Sequence, residues 1–191
     1  VNRIKRNQYD LAISIQSSLT SSLLLLLAKV PVRLGFSRQK LLTDTVPHTP
    51  GIHKVEKILG LLSFFTDKKF DIQTELFWST REEKSGAEIV KMAKKGYKHI
   101  VTMAPGSIWT TKQWSRDGYQ ELIRLLNRVG VQTILEGGKE DYELCSMIKT
   151  GSKAINLAGR LNLLESASII QKTDLIVTND SAPLHIGNAV K

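Results

Sequence analysis

The sequence predicts an α/β fold built on parallel sheet, and three observations carry that prediction. Short apolar runs alternate with segments whose apolar residues recur at helical spacing. Glycine or proline marks several of the switches between them. Small, polar loops follow the predicted strands, which is where ligands bind in open parallel sheets.

The second part of the chain is the more regular. His99 to Ala104 is a short apolar run, a strand. Arg116 to Val129 places Tyr119, Leu122, Ile123, Leu126 and Val129 on one helical face, and Gly130 is a natural stop. Val131 to Leu135 is strand, and Glu140 to Lys149 is helix closed by Gly151. Ala154 to Leu157 is a short strand and Leu163 to Lys172 a helix. Asp174 to Thr178 is a strand, and a helix runs from Pro183 onward. Proline suits a first helical turn, where its missing N–H has no intrahelical partner. This βα alternation implies parallel strands with helices on both faces.

The first part is similar but less regular. Asp10 to Gln16 reads as strand, Ser18 to Lys29 as helix and Val32 to Phe36 as strand. His53 to Phe64 reads as helix and Ile72 to Phe77 as strand. Ser79 to Gly96 is charged and helical in pattern, opening a second domain. The expected division is residues 1–79 and 80–191, with the boundary near Trp78–Arg81.

The chain has 191 residues, 41% hydrophobic and 24% charged, an ordinary globular composition. Its net charge of +9 is spread along both halves, which suits anionic ligands and anionic membrane surfaces. Aromatics are 6% and no basic stripe alternates with them, so nucleic acid is not an expected partner. A single cysteine, Cys145, excludes an intramolecular disulfide framework, and its apolar neighbours mark it as a small core residue. His48, His53, His99 and His185 show no metal-ligand spacing, so no metal is expected; no cofactor is expected either. The run Leu23–Leu27 falls well short of the ~20 residues needed to span a bilayer. A buried core helix is its default reading and a membrane-facing helix the alternative.

Four loops carry candidate chemistry. In Val177-Thr-Asn-Asp-Ser-Ala-Pro-Leu-His185 a strand runs through a polar turn into a helix N-terminus, a ready phosphate site, with Asp180 and His185 beside it. Asp180 fits as catalytic base, helix cap or holder of a sugar hydroxyl, and binding is favoured over proton abstraction. In Ala104-Pro-Gly-Ser-Ile-Trp-Thr-Thr-Lys-Gln-Trp114, Gly106 permits close backbone approach. Ser107, Thr110 and Thr111 offer hydroxyls and Lys112 a charge. That set suits a diphosphate; a solvated loop with a surface lysine fits too. Trp109 and Trp114 read as anchors of this loop. In Glu136-Gly-Gly-Lys-Glu140 the paired glycines suggest backbone near a ligand. Glu140 either accepts from ribose hydroxyls or only favours the positive end of its helix. In Asn156-Leu-Ala-Gly-Arg-Leu-Asn-Leu-Leu-Glu165, Asn162 and Glu165 form a capping-box pair, while Leu161 either faces a base or is simply exposed.

With these loops in order, the chain resembles glycosyltransferase family 9, the lipopolysaccharide core heptosyltransferases, and within it the ADP-heptose heptosyltransferase II branch. The likeness rests on Pro105–Trp114, Gly137–Asp141, Asn156–Arg160 and Asn179–His185, joined by Tyr9–Gln16, Arg33–Phe36 and His53. It implies a GT-B fold of two Rossmann-like domains, both truncated here. By position, it implies that Ser107, Thr111 and Lys112 contact the diphosphate or heptose. Glu140 then holds the ribose, Leu161 lies by the adenine and Asp180 engages heptose hydroxyls. Ser181, Ala182 and His185 take the phosphates. The implied reaction is inverting transfer of heptose from ADP-heptose to the inner core of lipopolysaccharide. It implies no metal, with Lys112 and the helix N-terminus stabilising the ADP leaving group. The implied setting is cytoplasmic, with peripheral contact to an anionic membrane.

The departures define further expectations. The family usually has Gly where Ala182 stands, and a Cβ there restricts positive φ and narrows the approach to phosphate. It usually has Pro where Ser115 stands. Its N-terminal Gly-Asp loop, which carries the catalytic base, has no counterpart here, so the base is expected outside this chain. Another GT-B enzyme using a different nucleotide sugar, and an inactive nucleotide-sugar-binding paralogue, are the competing readings.

Overall fold

The computed structural model describes residues 1–16, 18–37, 40–47, 50–70 and 72–190. The chain divides into two compact units, Val1–Ile72 and Gln73–Lys191.

The first unit contains α1 (Asn2–Arg6), β1 (Leu11–Ile13), α2 (Leu19–Leu27), β2 (Val32–Phe36), β3 (Asp44–Val46) and α3 (Lys54–Leu59). The strands form a parallel sheet in the order β1-β2-β3, with Leu11 opposite Val32 and Leu34 opposite Asp44. Among the described residues its main apolar cluster is small: Leu34, Phe36, Val46 and Leu61. The Lys57 ammonium sits 4.7 Å above the Phe36 ring.

Several expectations need correction here. The helix expected over His53 to Phe64 is α only to Leu59, where Gly60 opens a tighter 3-10 turn to Phe64. Ile72 to Phe77 forms no strand: no neighbouring strand pairs with it, and Phe77 is 79% exposed. Strand β3 escaped notice because three residues are too few to show a period. The leucine-rich helix is not buried. In α2 only Ser22 is buried, while Leu19, Leu23, Leu24, Leu26 and Leu27 are exposed. A three-stranded sheet with so small a core offers this helix too little apolar surface to cover all sides of it.

The second unit contains α4 (Thr80–Ala93), β4 (His99–Ala104), α5 (Arg116–Arg128), β5 (Val131–Leu135), α6 (Tyr142–Lys149), β6 (Ile155–Asn156), α7 (Leu163–Lys172), β7 (Leu175–Thr178) and α8 (Ala182–Val190). All four strands are parallel, in the order β6-β5-β4-β7. Alternation along the strands splits the core in two. Val101, Met103 and Leu135 face Tyr119 and Ile123 of α5 and Cys145 and Ile148 of α6. Ile100 and Ile134 face Val90 and Ala93 of α4 and Ile169 of α7. The helices are started by the chemistry of their first turns. Ser79 and Glu82 form a capping box on α4, and Asn162 and Glu165 form the expected one on α7. Ser115, standing where the family usually has Pro, caps α5 by accepting from Gly118 N–H. Helix α6 begins at Tyr142, after a 3-10 turn over Lys139–Asp141.

Candidate functional site

The strand order creates a topological switch point. From β4 the chain crosses one way to β5 and β6, then returns to place β7 on the other side of β4. The loops leaving the carboxyl ends of β4 and β7 therefore lie side by side at this switch point, the usual ligand position in open α/β sheets. These are the loops of Pro105–Trp114 and Asn179–Ser181.

Asn179 staples the two together. Its Nδ2 donates to the Pro105 carbonyl at 2.7 Å. Its Oδ1 accepts from Trp114 N–H at 3.0 Å and from the Tyr119 hydroxyl at 3.3 Å. The side chain is buried, so these bonds replace water on every group involved. The Trp114 ring packs on Tyr119 with centroids 4.9 Å apart, as an anchor should, whereas Trp109 is largely exposed. Sequence reasoning passed over Asn179 as a site residue. The available signal was an amide directly after an apolar strand, where a chain has backbone groups to satisfy.

On this staple, Lys112 and Asp180 meet. The Lys112 ammonium donates to an Asp180 carboxylate oxygen and pairs with it across the two loops. That hydrogen bond, then the Lys112 charge, holds the Asp180 carboxyl below its ordinary range, with His185 adding to the effect. Both side chains face solvent, 45% and 63% exposed. An exposed pair of this kind is worth little, so an arriving anion can displace the carboxylate from the lysine at little cost.

Lys112 sits in a 3-10 turn over Thr110–Lys112, with Thr111 exposed beside it. The loop is braced by Gln113 Nε2 donating to the Ser107 carbonyl at 2.7 Å. Ser181 is half-buried, and its hydroxyl reaches back toward the Asn179 carbonyl at 3.5 Å. Ala182 opens α8 and His185 is exposed on its first turn and a half. Residue 182 has no positive φ, so helical backbone accommodates its Cβ.

Glu140 and Leu161 lie on the loops after β5 and β6, and among the described residues neither bonds to the Lys112–Asp180 pair. Glu140 is exposed in the 3-10 turn before α6. Leu161 is half-buried, packed against the cluster of Val90, Ile100, Ile134 and Ile169, and is not a free loop residue. The glycines of these loops have a local reason. A Cβ on Gly106 or Gly137 would run into the Asp141 carboxylate, and one on Gly138 into that of Glu140. Asp141 in turn accepts from Gly138 N–H at 2.9 Å. In this structure, then, it is carboxylates that approach the glycine backbone.

Glycosyltransferase family 9 (heptosyltransferase) matches residues 1–191. The chain belongs to this family. It is 30% identical over 203 residues to lipooligosaccharide heptosyltransferase 2 of Haemophilus influenzae, covering 97% of this chain and 59% of that protein. It is 26% identical to lipopolysaccharide heptosyltransferase 2 of Escherichia coli K12, over 98% of this chain and 59% of that protein. The structure of E. coli ADP-heptose LPS heptosyltransferase II superposes with a TM-score of 0.71 at 23% identity, over 99% of this chain and 62% of that one. A family 9 glycosyltransferase from Veillonella parvula superposes at 0.75 with 19% identity, over 97% and 57%. E. coli heptosyltransferase WaaC with ADP superposes at 0.70 with 16% identity, over 100% and 62%. The α/β fold is thus of the GT-B type, and the chain spans about 60% of the length of these relatives.

Proposed function

We propose that the chain belongs to an inverting glycosyltransferase that moves heptose from ADP-heptose to the inner core of lipopolysaccharide. The observation that carries this reading is the Lys112–Asp180 pair at the switch point between β4 and β7. It sets one displaceable cation and one hydroxyl-binding carboxylate side by side, as a sugar diphosphate requires. Lys112, with the hydroxyls of Ser107 and Thr111, takes the diphosphate from one side. Ser181, His185 and the free N–H groups at the start of α8, near Ala182, take it from the other. Asp180, released from Lys112, accepts from heptose hydroxyls. Glu140 holds the ribose and Leu161 lies against the adenine; a relative solved with ADP supports that base.

In the reaction the acceptor hydroxyl attacks the anomeric carbon and the bond to the diphosphate oxygen breaks. Negative charge grows on the departing ADP, where Lys112 and the α8 N-terminus stabilise it without a metal. The base that takes the acceptor proton is not among the residues assigned here. The acceptor is an anionic lipid, so the enzyme works as a cytoplasmic protein in peripheral contact with the inner membrane.

Calorimetric titration with ADP, ADP-heptose and UDP tests the reading. ADP and ADP-heptose should bind and UDP should compete clearly less well. Equal affinity for UDP and ADP would instead favour an enzyme using another nucleotide sugar.

A further inference from the structure

Glu136 follows β5 at the carboxyl end of the sheet and is only 2% exposed. One carboxyl oxygen accepts from the hydroxyl of Ser166, in the opening turns of α7. The other is buried with no hydrogen-bond partner among the described residues. Among the described residues no cation is a cause of the carboxyl's pKa shift; burial and the Ser166 bond are. Cys145 of α6 points its thiol at the Glu136 carbonyl oxygen, 3.9 Å away. Burial, with Asp141 adding to it, pushes that thiol up to about 12, so it stays neutral. Glu165 of α7 is turned to the Asn162 N–H and the Ser85 hydroxyl. Burial pushes the Glu136 carboxyl up to about 8, against the smaller opposing pull of Ser166. A carboxyl buried without a cation keeps its proton.

The segment between β6 and α7, residues 157–162, is tied to the end of β5. Leu157 N–H donates to the Leu135 carbonyl at 2.8 Å and Gly159 N–H to the Gly137 carbonyl at 3.0 Å. Asn162 caps α7 through the N–H groups of Leu164 and Glu165, both at 2.9 Å. The bond from Ser166 to Glu136 adds the side-chain tie between α7 itself and β5.

We propose that Glu136 is a positioning residue: its buried carboxyl, bonded to Ser166, latches the start of α7 to the end of β5, and so holds the 157–162 loop with Leu161 in place for a nucleotide. This rests on reading the second unit as the nucleotide side. Ionisation strengthens the bond accepted from Ser166 but leaves the other oxygen a buried anion with no hydrogen-bond partner among the described residues, so water must enter and compete for the Ser166 hydroxyl, and the latch loosens. The carboxyl is neutral below about 8 and charged above, so the latch is closed at low pH and opens as pH rises through that value. As pH rises through that value the closed population shrinks, and apparent ADP affinity should fall several-fold between pH 7 and pH 9.

The test uses the 191-residue chain and its Glu136→Gln variant between pH 6.5 and 9.5. Hydrogen exchange of residues 157–166 without ligand is one readout and the ADP dissociation constant the other. Wild type should lose protection, beyond the intrinsic pH effect, and lose ADP affinity together. The glutamine, neutral throughout and able to accept from Ser166, should be flat in both. The same pH dependence in the variant, or flat exchange in wild type, overturns the latch whatever ADP does. Absence of ADP binding at pH 7 overturns the nucleotide reading instead. Should Glu136→Gln fail to fold, Ser166→Ala decides: protection of 157–166 should drop already at pH 7, and unchanged protection overturns the proposal.

Discussion

Lys112 is the single cation of the Ser107–Gln113 loop, and Asp180 occupies it. A diphosphate would replace an exposed, weakly worth ion pair with a charge-assisted hydrogen bond to a ligand held on several sides. Lys112→Ala should therefore weaken ADP binding by about 1.5–3 kcal/mol, the range for hydrogen bonds to charged groups. That corresponds to roughly 10- to 150-fold in the dissociation constant. Calorimetry on the variant measures it, and an unchanged constant would remove Lys112 from the phosphate site. The protein's stability should scarcely move, because the pair lost is exposed. The variant thus separates binding from folding.

Between elements, Asn179 carries the larger structural load. Asn179→Ala removes acceptor and donor at once, leaving the Pro105 carbonyl, the Trp114 N–H and the Tyr119 hydroxyl to find other partners. Each buried group left unsatisfied costs about 1–3 kcal/mol. The variant should lose at least that in urea denaturation and should also bind ADP more weakly, since the Lys112 loop loses its anchor. Full stability in the variant would mean that water satisfies these groups. This staple also marks how far the sequence could be read. The four strands of the second unit, their parallel sense and the capping box at Asn162–Glu165 followed from local patterns that the packing preserves. The meeting of Lys112 with Asp180, 68 residues on, depends on β7 pairing with β4. No local period encodes that pairing. The same holds for the Asp141 carboxylate lying against Gly106, a tertiary approach that a glycine in the sequence announces without naming the visitor. Where apolar patterning had no surface to act on, as at Ile72 to Phe77 and in α2, it misled.

For the molecule as a whole, the excess of positive charge and the proposed lipid acceptor lead to a prediction about membranes. No described helix is long and apolar enough to cross a bilayer. Arg3, Lys5 and Arg6 are all exposed on or beside the short α1, where no acidic residue offsets them. Lys40 is exposed as well, while Arg38 lies outside the described residues. Arg33 contributes less than its charge suggests, because its guanidinium is turned to the carbonyls of Val30, at 2.6 Å, and Leu41, at 3.1 Å. Each basic residue close to an anionic surface contributes about 1 kcal/mol. Salt at physiological strength screens this beyond about 8 Å. A handful of such residues gives weak attachment, so the chain should co-sediment with anionic vesicles at low salt, release at high salt, and ignore neutral vesicles. The exposed leucines of α2 provide the contrasting outcome. Apolar burial in the acyl region is insensitive to screening and independent of headgroup charge. Binding that persists at high salt, or that appears on neutral vesicles, would therefore shift the membrane contact from the basic residues to α2. Leu24→Lys would then abolish it, whereas charge reversal at Arg3 and Lys5 would not.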